Sequence, residues 1–156
     1  MTMKHRFVAH SSIVGGLLLA VVILSGASRP PAEDRVPEAH SEKAKALHAP
    51  FGDTRTAAAE VVAAGKALYE GKGQCFLCHG MSGKGDGPAS HMNAKHPPRN
   101  FTVCAFQKER DDGELFWIIK YGSAGTGMQA LIPHMLSEEE GWKLVAYVRT
   151  FCKAGG

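Results

Sequence analysis

Cys75-Phe76-Leu77-Cys78-His79 decides how this sequence is read. Two thiols three positions apart can each add to one vinyl group of the same porphyrin, and the histidine that follows then lies under the iron. Two other uses of paired cysteines compete with that reading. A redox-active Cys-x-x-Cys dithiol belongs beside a βαβ pattern, and none is visible. A zinc site needs a second pair of ligands at similar spacing, whereas Cys104 and Cys152 stand single and far apart. The motif therefore predicts one covalently bound haem c, held by Cys75 and Cys78 and ligated by His79.

The residues ahead of the motif fit export. Lys4 and Arg6 make a basic start, Ile13 to Leu24 is an unbroken run of apolar residues and glycine, and Ser25-Gly26-Ala27 offers small residues at a cleavage site. Residues 1–27 read as a signal peptide cut after Ala27. An uncleaved N-terminal anchor is the rival, although 12 core residues fall short of the roughly 20 that span a bilayer. No cysteine follows the run to carry a lipid. Thioether attachment of haem takes place outside the cytoplasm in bacteria, so the expected location is the periplasm, with a membrane tether only if the segment is retained. Residues 28–55 hold Pro30, Pro31, Pro37 and Pro50 among charges, with few large apolar side chains. They read as a flexible linker, with a short helical turn over Glu42 to Leu47.

Residues 56–156 carry three helical patterns. The first runs from Thr56 to Tyr69, with Val61, Val62, Leu68 and Tyr69 available to one face. In the second, Asp111 caps, Glu114 follows three positions on, and Leu115, Phe116, Ile118 and Ile119 lead to Tyr121 before Gly122 stops it. The third has Ser137 and Glu140 in capping-box spacing, then Leu144, Val145, Val148 and Phe151 at helical intervals. No stretch keeps a strand's period for long, so the fold class is all-α. The loops from Gly71 to Gly87 and from Pro88 to Arg110 exceed what compact domains leave unstructured. A rigid cofactor used as the core would account for them.

Charge excludes some functions. The net formal charge is +3, and from Phe51 onward 12 Lys and Arg face 11 Asp and Glu. A near-neutral domain without basic clusters among aromatics lacks the footprint of a nucleic-acid binder. Gly80 to Gly87 is not followed by Gly-Lys-Ser/Thr in phosphate-loop spacing. Glu138, Glu139 and Glu140 suit a helix start better than acid-base work. No nucleophile-base pair is identifiable, so an enzyme is not expected.

From about Thr56 to Cys152 the order of features resembles a class I c-type cytochrome of the bacterial mono-haem type. The order is helix, CxxCH, glycine loop, proline-containing loop, helix, methionine loop and closing helix. Gly83-Lys84-Gly85-Asp86-Gly87-Pro88-Ala89 is similar to the loop after the haem motif in members associated with terminal oxidases and denitrification enzymes. The resemblance implies the cytochrome c fold, three main helices and long loops wrapped around one haem, and a methionine as sixth iron ligand. Met128 sits where the family places that methionine, in a Gly122 to Gly127 setting that lets the backbone pass close to a porphyrin. Met135 reads as core but stays, with His91, His96 and His134, among the main alternatives; Met92 is a weaker rival, and Met81 is too near His79 in sequence.

The family also implies that a carbonyl following the motif accepts the other ring N–H of His79. Pro88 is the best match, with Pro97 and Pro98 as alternatives. Arg99 and Asn100 are candidates to hold a propionate, and Trp117, Tyr121 and Trp142 to add donors. Gly65 and Tyr69 with Tyr147 resemble the family's crossing of terminal helices. Cys104 and Cys152 make an even pair in an oxidising compartment, where a disulfide is reasonable and free thiols are the alternative.

His/Met ligation closes the sixth position and raises the potential. The expected function is single-electron transfer between respiratory redox partners, either soluble redox proteins or a membrane complex. A haem subunit docked in a larger oxidoreductase is one alternative, and an enzyme with an open sixth position for peroxide or a small gas is another. Lys72, Lys84, Lys95, Lys108 and Lys120 can ring a haem edge, but near-neutrality predicts weak, brief docking.

Overall fold

The computed structural model of the chain describes residues 36–93 and 95–152. The expected export segment, the start of the expected linker and residues 153–156 lie outside them. Among the described residues the secondary structure is helical, with no strand. The helices are α1 (Ser41–Lys45), α2 (Ala59–Glu70), α3 (Phe76–His79), α4 (Cys104–Glu109), α5 (Asp112–Tyr121) and α6 (Glu138–Arg149). Short 3-10 turns occupy Glu38–His40, Thr54–Thr56 and Ser90–Asn93.

Helices α2 and α6 cross at Gly65. A Cβ there would lie 2.1 Å from the Lys143 carbonyl oxygen and 2.8 Å from the Tyr147 Cβ, so only glycine permits the approach. One turn on, the fully buried Tyr69 meets Tyr147 edge-on at 5.2 Å between ring centroids. Its hydroxyl donates to the Gly80 carbonyl at 2.7 Å, which ties the helix crossing to the residue after His79. Helix α5 adds Leu115 and Phe116, the latter stacked on Trp142 of α6 at 4.1 Å, and Ile132, Leu136, Leu144, Val145 and Val148 complete the core. Both expected capping boxes are present, Asp111 with Glu114 on α5 and Ser137 with Glu140 on α6. Each satisfies orphan N–H groups at its helix start.

Three expectations are corrected. Residues 36–55 do not form a loose linker but pack along α5. Val36 and Ala44 are buried against Trp117, the His40 ring stacks on the same indole at 5.2 Å, and the Thr54 N–H donates to Asp112 Oδ2 at 3.4 Å. Only a few apolar side chains of the segment, Val36, Ala44, Leu47 and Phe51 among them, make this packing, so its mostly polar composition hides the fit. Helix α1 falls near the turn expected over Glu42 to Leu47. Helix α4 was not expected, since six residues are too few for a periodic signal. Met135 is not core: it is 41% exposed, while Ile132 and Leu136 on either side take the buried positions.

Candidate functional site

Cys75 opens α3 immediately after Gln74, whose φ of 50° puts a non-glycine residue in the left-handed region at the tight turn from α2. The His79 N–H donates to the Cys75 carbonyl at 2.9 Å, closing one helical turn. That turn places Cys75 and Cys78 at neighbouring positions of one face, with His79 directly after. The two thiols are free, so they are not joined to each other. Burial, with a smaller push from Cys78, raises the Cys75 thiol to about 11. A dithiol built for exchange has its attacking thiol shifted down instead.

The glycine loop lies against the carbonyl end of α3. N–H groups of Gly85, Gly87 and Ala89 donate to the His79, Cys78 and Leu77 carbonyls at 2.8, 3.1 and 2.7 Å. A Cβ on Gly87 would sit 2.3 Å from the Leu77 oxygen, so side chains are excluded from this contact. These three bonds cap the orphan carbonyls that every helix leaves at its C-terminus. They also correct the expectation for Pro88. Its loop turns N–H donors toward α3, and the carbonyl facing the His79 ring comes from the next layer of chain. His79 Nδ1 lies 3.0 Å from the Arg99 carbonyl oxygen, one residue beyond the expected alternatives Pro97 and Pro98. Because a carbonyl only accepts, Nδ1 carries the proton and Nε2 keeps its lone pair. Burial holds the imidazole below its ordinary pKa, with the Arg99 carbonyl opposing, so the ring is neutral. A neutral imidazole with a fixed tautomer is what a metal requires of histidine.

Phe101 stacks on His79 at 4.3 Å with 18° between the rings, and its N–H donates to the Gly83 carbonyl at 2.7 Å. Behind it lies a buried polar cluster. Gln107 Nε2 donates to the Phe101 and Val148 carbonyls, both at 3.0 Å, and Gln107 Oε1 accepts from Arg149 Nη1 at 3.0 Å. The Arg149 guanidinium also donates to Asp112 Oδ1 from Nε at 2.8 Å and to the Arg110 carbonyl at 2.7 Å. Arg55 reaches the Gln107 carbonyl at 3.2 Å from the far side. A disulfide joins Cys104 to Cys152, with 5.1 Å between Cα atoms, and fastens α4 to the end of α6. Sequence reading missed Phe101, Gln107 and Arg149. The one available signal was Arg149 itself, a charge in register with the apolar face of the last helix.

Other expected residues have different partners. The Arg99 guanidinium lies over Phe106 at 4.9 Å, and Asn100 Oδ1 accepts from the Thr102 N–H and hydroxyl at 2.9 and 2.7 Å. Trp117 packs under the 36–55 segment and Trp142 on Phe116, while Tyr121 is 50% exposed. Lys72 pairs with Glu140 at 2.8 Å and Lys120 with Glu138. Beyond α5, Gly122 turns the chain, the Ser123 N–H donates to the Met128 carbonyl at 2.9 Å and the Met128 N–H to Thr126 Oγ1 at 3.1 Å. These bonds make the 122–128 loop a compact unit. Met128 is half-buried there, whereas Met81 and Met92 are exposed, as is Met135.

The donor set fits haem c. Two free thiols share one turn, the adjacent imidazole is neutral with Nε2 available, and the other cysteines are engaged with each other. Among the described residues no group of three or more His, Cys, Asp or Glu side chains could hold a metal ion, so nothing there favours the zinc alternative. A structure of the Kuenenia stuttgartiensis reducing HAO-like protein complex Kustc0457/Kustc0458 is similar at 30% identity and a TM-score of 0.55, over 62% of this chain and 46% of that one. This chain thus spans under half of that relative's length. The KustC0563 c-type cytochrome matches at 29% identity and a TM-score of 0.47, over 57% of this chain and 98% of that one. No curated protein matches in sequence. Residues 60–148 match the family described as cytochrome C oxidase, cbb3-type, subunit III, a span that runs from the start of α2 through the haem motif to the end of α6. The helical fold and this match together place the chain in the c-type cytochrome family.

Proposed function

We propose that the protein carries single electrons between redox partners outside the cytoplasm, with His79 and Met128 as axial ligands of one haem c. The observation that carries the reading is the α3 turn, where free Cys75 and Cys78 stand beside a His79 whose Nδ1 proton is committed to the Arg99 carbonyl. Haem c, when attached, supplies a one-electron couple, and a thioether ligand favours its reduced form. This chain's residues fix the ligand tautomer, wall the attachment turn with Phe101 and the core, and hold Met128 in a hydrogen-bonded loop. Support for Met128 is its half-burial, its tethered backbone and the exposure of Met81, Met92 and Met135. Periplasmic location rests on the 1–27 segment and on the need to attach haem outside the cytoplasm.

A second reading is favoured by the family match, whose printed description is an oxidase subunit, and by the similarity to part of an HAO-like complex. In it this domain is a haem relay docked on a larger oxidoreductase. Optical spectroscopy of the purified holoprotein tests the ligation. The expected result is a six-coordinate low-spin spectrum with the sulfur-to-iron charge-transfer band, unchanged when carbon monoxide is added to the reduced form. Met128→Ala should lower the potential and admit carbon monoxide. Ready carbon monoxide binding by the unaltered protein would overturn Met128 as ligand. Co-purification with membrane oxidoreductase subunits would favour the docked relay over the free carrier.

A further inference from the structure

We infer that Gln107 is a positioning residue for the proximal side of the haem, acting on His79 through Phe101 and the Arg99–Phe101 backbone. The inference rests on haem attachment at Cys75, Cys78 and His79, and is independent of which residue is the sixth ligand. Gln107 is 4% exposed, and both ends of its side chain are engaged. Oε1 accepts from Arg149, and Nε2 donates to the Val148 carbonyl of α6 and to the Phe101 carbonyl. Its amide thus staples Phe101 to the closing helix. Phe101 in turn holds two things in register. Its ring lies flat on His79, and its backbone continues from Arg99, whose carbonyl takes the Nδ1 proton.

The Phe151 ring, just beyond α6, also stacks on Phe101 at 6.1 Å between centroids, and the Gln107 amide adds a polar tie to α6 itself. The Phe101 N–H reaches only the glycine loop, at the Gly83 carbonyl, and Asn100 bonds within its own turn to Thr102. A hydrogen bond from a ligating imidazole to a carbonyl raises the basicity of the coordinating nitrogen and fixes the ring's orientation. A more basic ligand favours Fe(III), so a firm Nδ1–H to Arg99 bond holds the reduction potential down. Loosening Phe101 by removing the amide should weaken that bond, and two readouts should move together. The potential should rise, and the His79 Nδ1 proton should exchange with solvent faster. A residue that only contributed stability would move neither in a folded variant.

The test compares the unaltered holoprotein with Gln107→Met, which keeps length and volume and removes every side-chain hydrogen bond. Covalent haem is first verified by the pyridine haemochrome spectrum. The expected result is Nδ1–H exchange at least tenfold faster by NMR, together with a several-fold shift of the redox equilibrium toward Fe(II), where tenfold corresponds to about 59 mV for one electron. Should Gln107→Met fail to accumulate as folded holoprotein, Gln107→Glu decides. Gln107→Glu keeps an acceptor for Arg149, removes the Nε2 donor to the Phe101 and Val148 carbonyls, and should also speed exchange. Unchanged exchange, or an unchanged or lowered potential, in a folded and haem-loaded variant would overturn the role of Gln107. An unaltered protein without thioether-linked haem would instead overturn the reading on which the inference stands.

Discussion

The two ends of α6 are held by different physics. At its N-terminus Ser137 and Glu140 cap each other's backbone N–H groups at 3.2 and 2.8 Å, and Glu138, Glu139 and Glu140 pair with Lys120, Lys143 and Lys72. These side chains reach solvent, where a cap contributes about 1 kcal/mol and an ion pair less. At the C-terminus Arg149 is 6% exposed and binds Asp112, 37 residues back, while the nearby Cys152 is bonded to Cys104, 48 residues back. Removing one partner there strands a buried group, and the cost is several times larger. The end that is easy to read from neighbours in sequence is the weaker one. The stronger end is built from residues brought together only by folding.

Breaking the C-terminal end should therefore have the largest effects. Arg149→Met removes the buried cation beside Asp112 and the donor to Gln107 Oε1, leaving Asp112 and the Gln107 carbonyl only their longer contacts from Thr54 and Arg55. It should cost about 3–5 kcal/mol in denaturant unfolding of the holoprotein. The same end carries an acid sensitivity. Burial alone would raise the Asp112 carboxyl, but the Thr54 N–H, the Arg149 hydrogen bond and charge, and Arg55 outweigh it and hold its pKa below the ordinary 3.8. A depressed folded-state pKa contributes stability above pH 3.8, which is lost as pH falls through the lower folded value. The stability gap between the unaltered protein and Asp112→Asn should then be widest near neutral pH and close on acidification. A gap that stays constant with pH would show that the carboxylate charge is not what matters.

Removing the disulfide with Cys104→Ser and Cys152→Ser together should cost about 3 kcal/mol, from the freedom returned to a long loop in the unfolded chain. At the middle of α6, Gly65→Ala pushes a methyl group into the Lys143 backbone. It should cost about 2 kcal/mol, despite alanine's better helix propensity. The N-terminal end should respond least. Ser137→Ala is expected to cost about 1 kcal/mol, and Lys72→Ala less than that. If Ser137→Ala proved as costly as Arg149→Met, the contrast between the two ends would collapse.

Much of the fold was legible where the controlling residues are close in sequence. Asp111 with Glu114, Ser137 with Glu140 and the stop at Gly122 all stand where expected, because a helix end is satisfied by side chains within a turn of it. Gly65 opposite Tyr147 was legible through the family resemblance, and the 2.8 Å that a Cβ there would leave to the Tyr147 Cβ gives the reason. The turn that brings Cys75, Cys78 and His79 together was readable for the same local reason, since two thiols and an imidazole within five residues need only one helical turn to converge. The acceptor of the His79 proton was not. A proline carbonyl was expected, but the Gly85, Gly87 and Ala89 N–H groups occupy the face of the loop that looks at α3, and Arg99 reaches the ring from a second layer. The 36–55 segment was misread for a similar reason, because its burial depends on Trp117 rather than on its own composition.

The sequence by itself determined where haem is expected to attach, the class of fold and the ends of its two best-capped helices, each set by interactions spanning a few residues. Only the tertiary structure decided what surrounds His79. Arg99 supplies the carbonyl, Phe101 the stacking ring, and Gln107 with Arg149 the buried support. Those choices depend on which backbone groups are left unpaired once the loops have packed, and desolvation makes each such group costly to leave alone. That condition exists only in the folded chain.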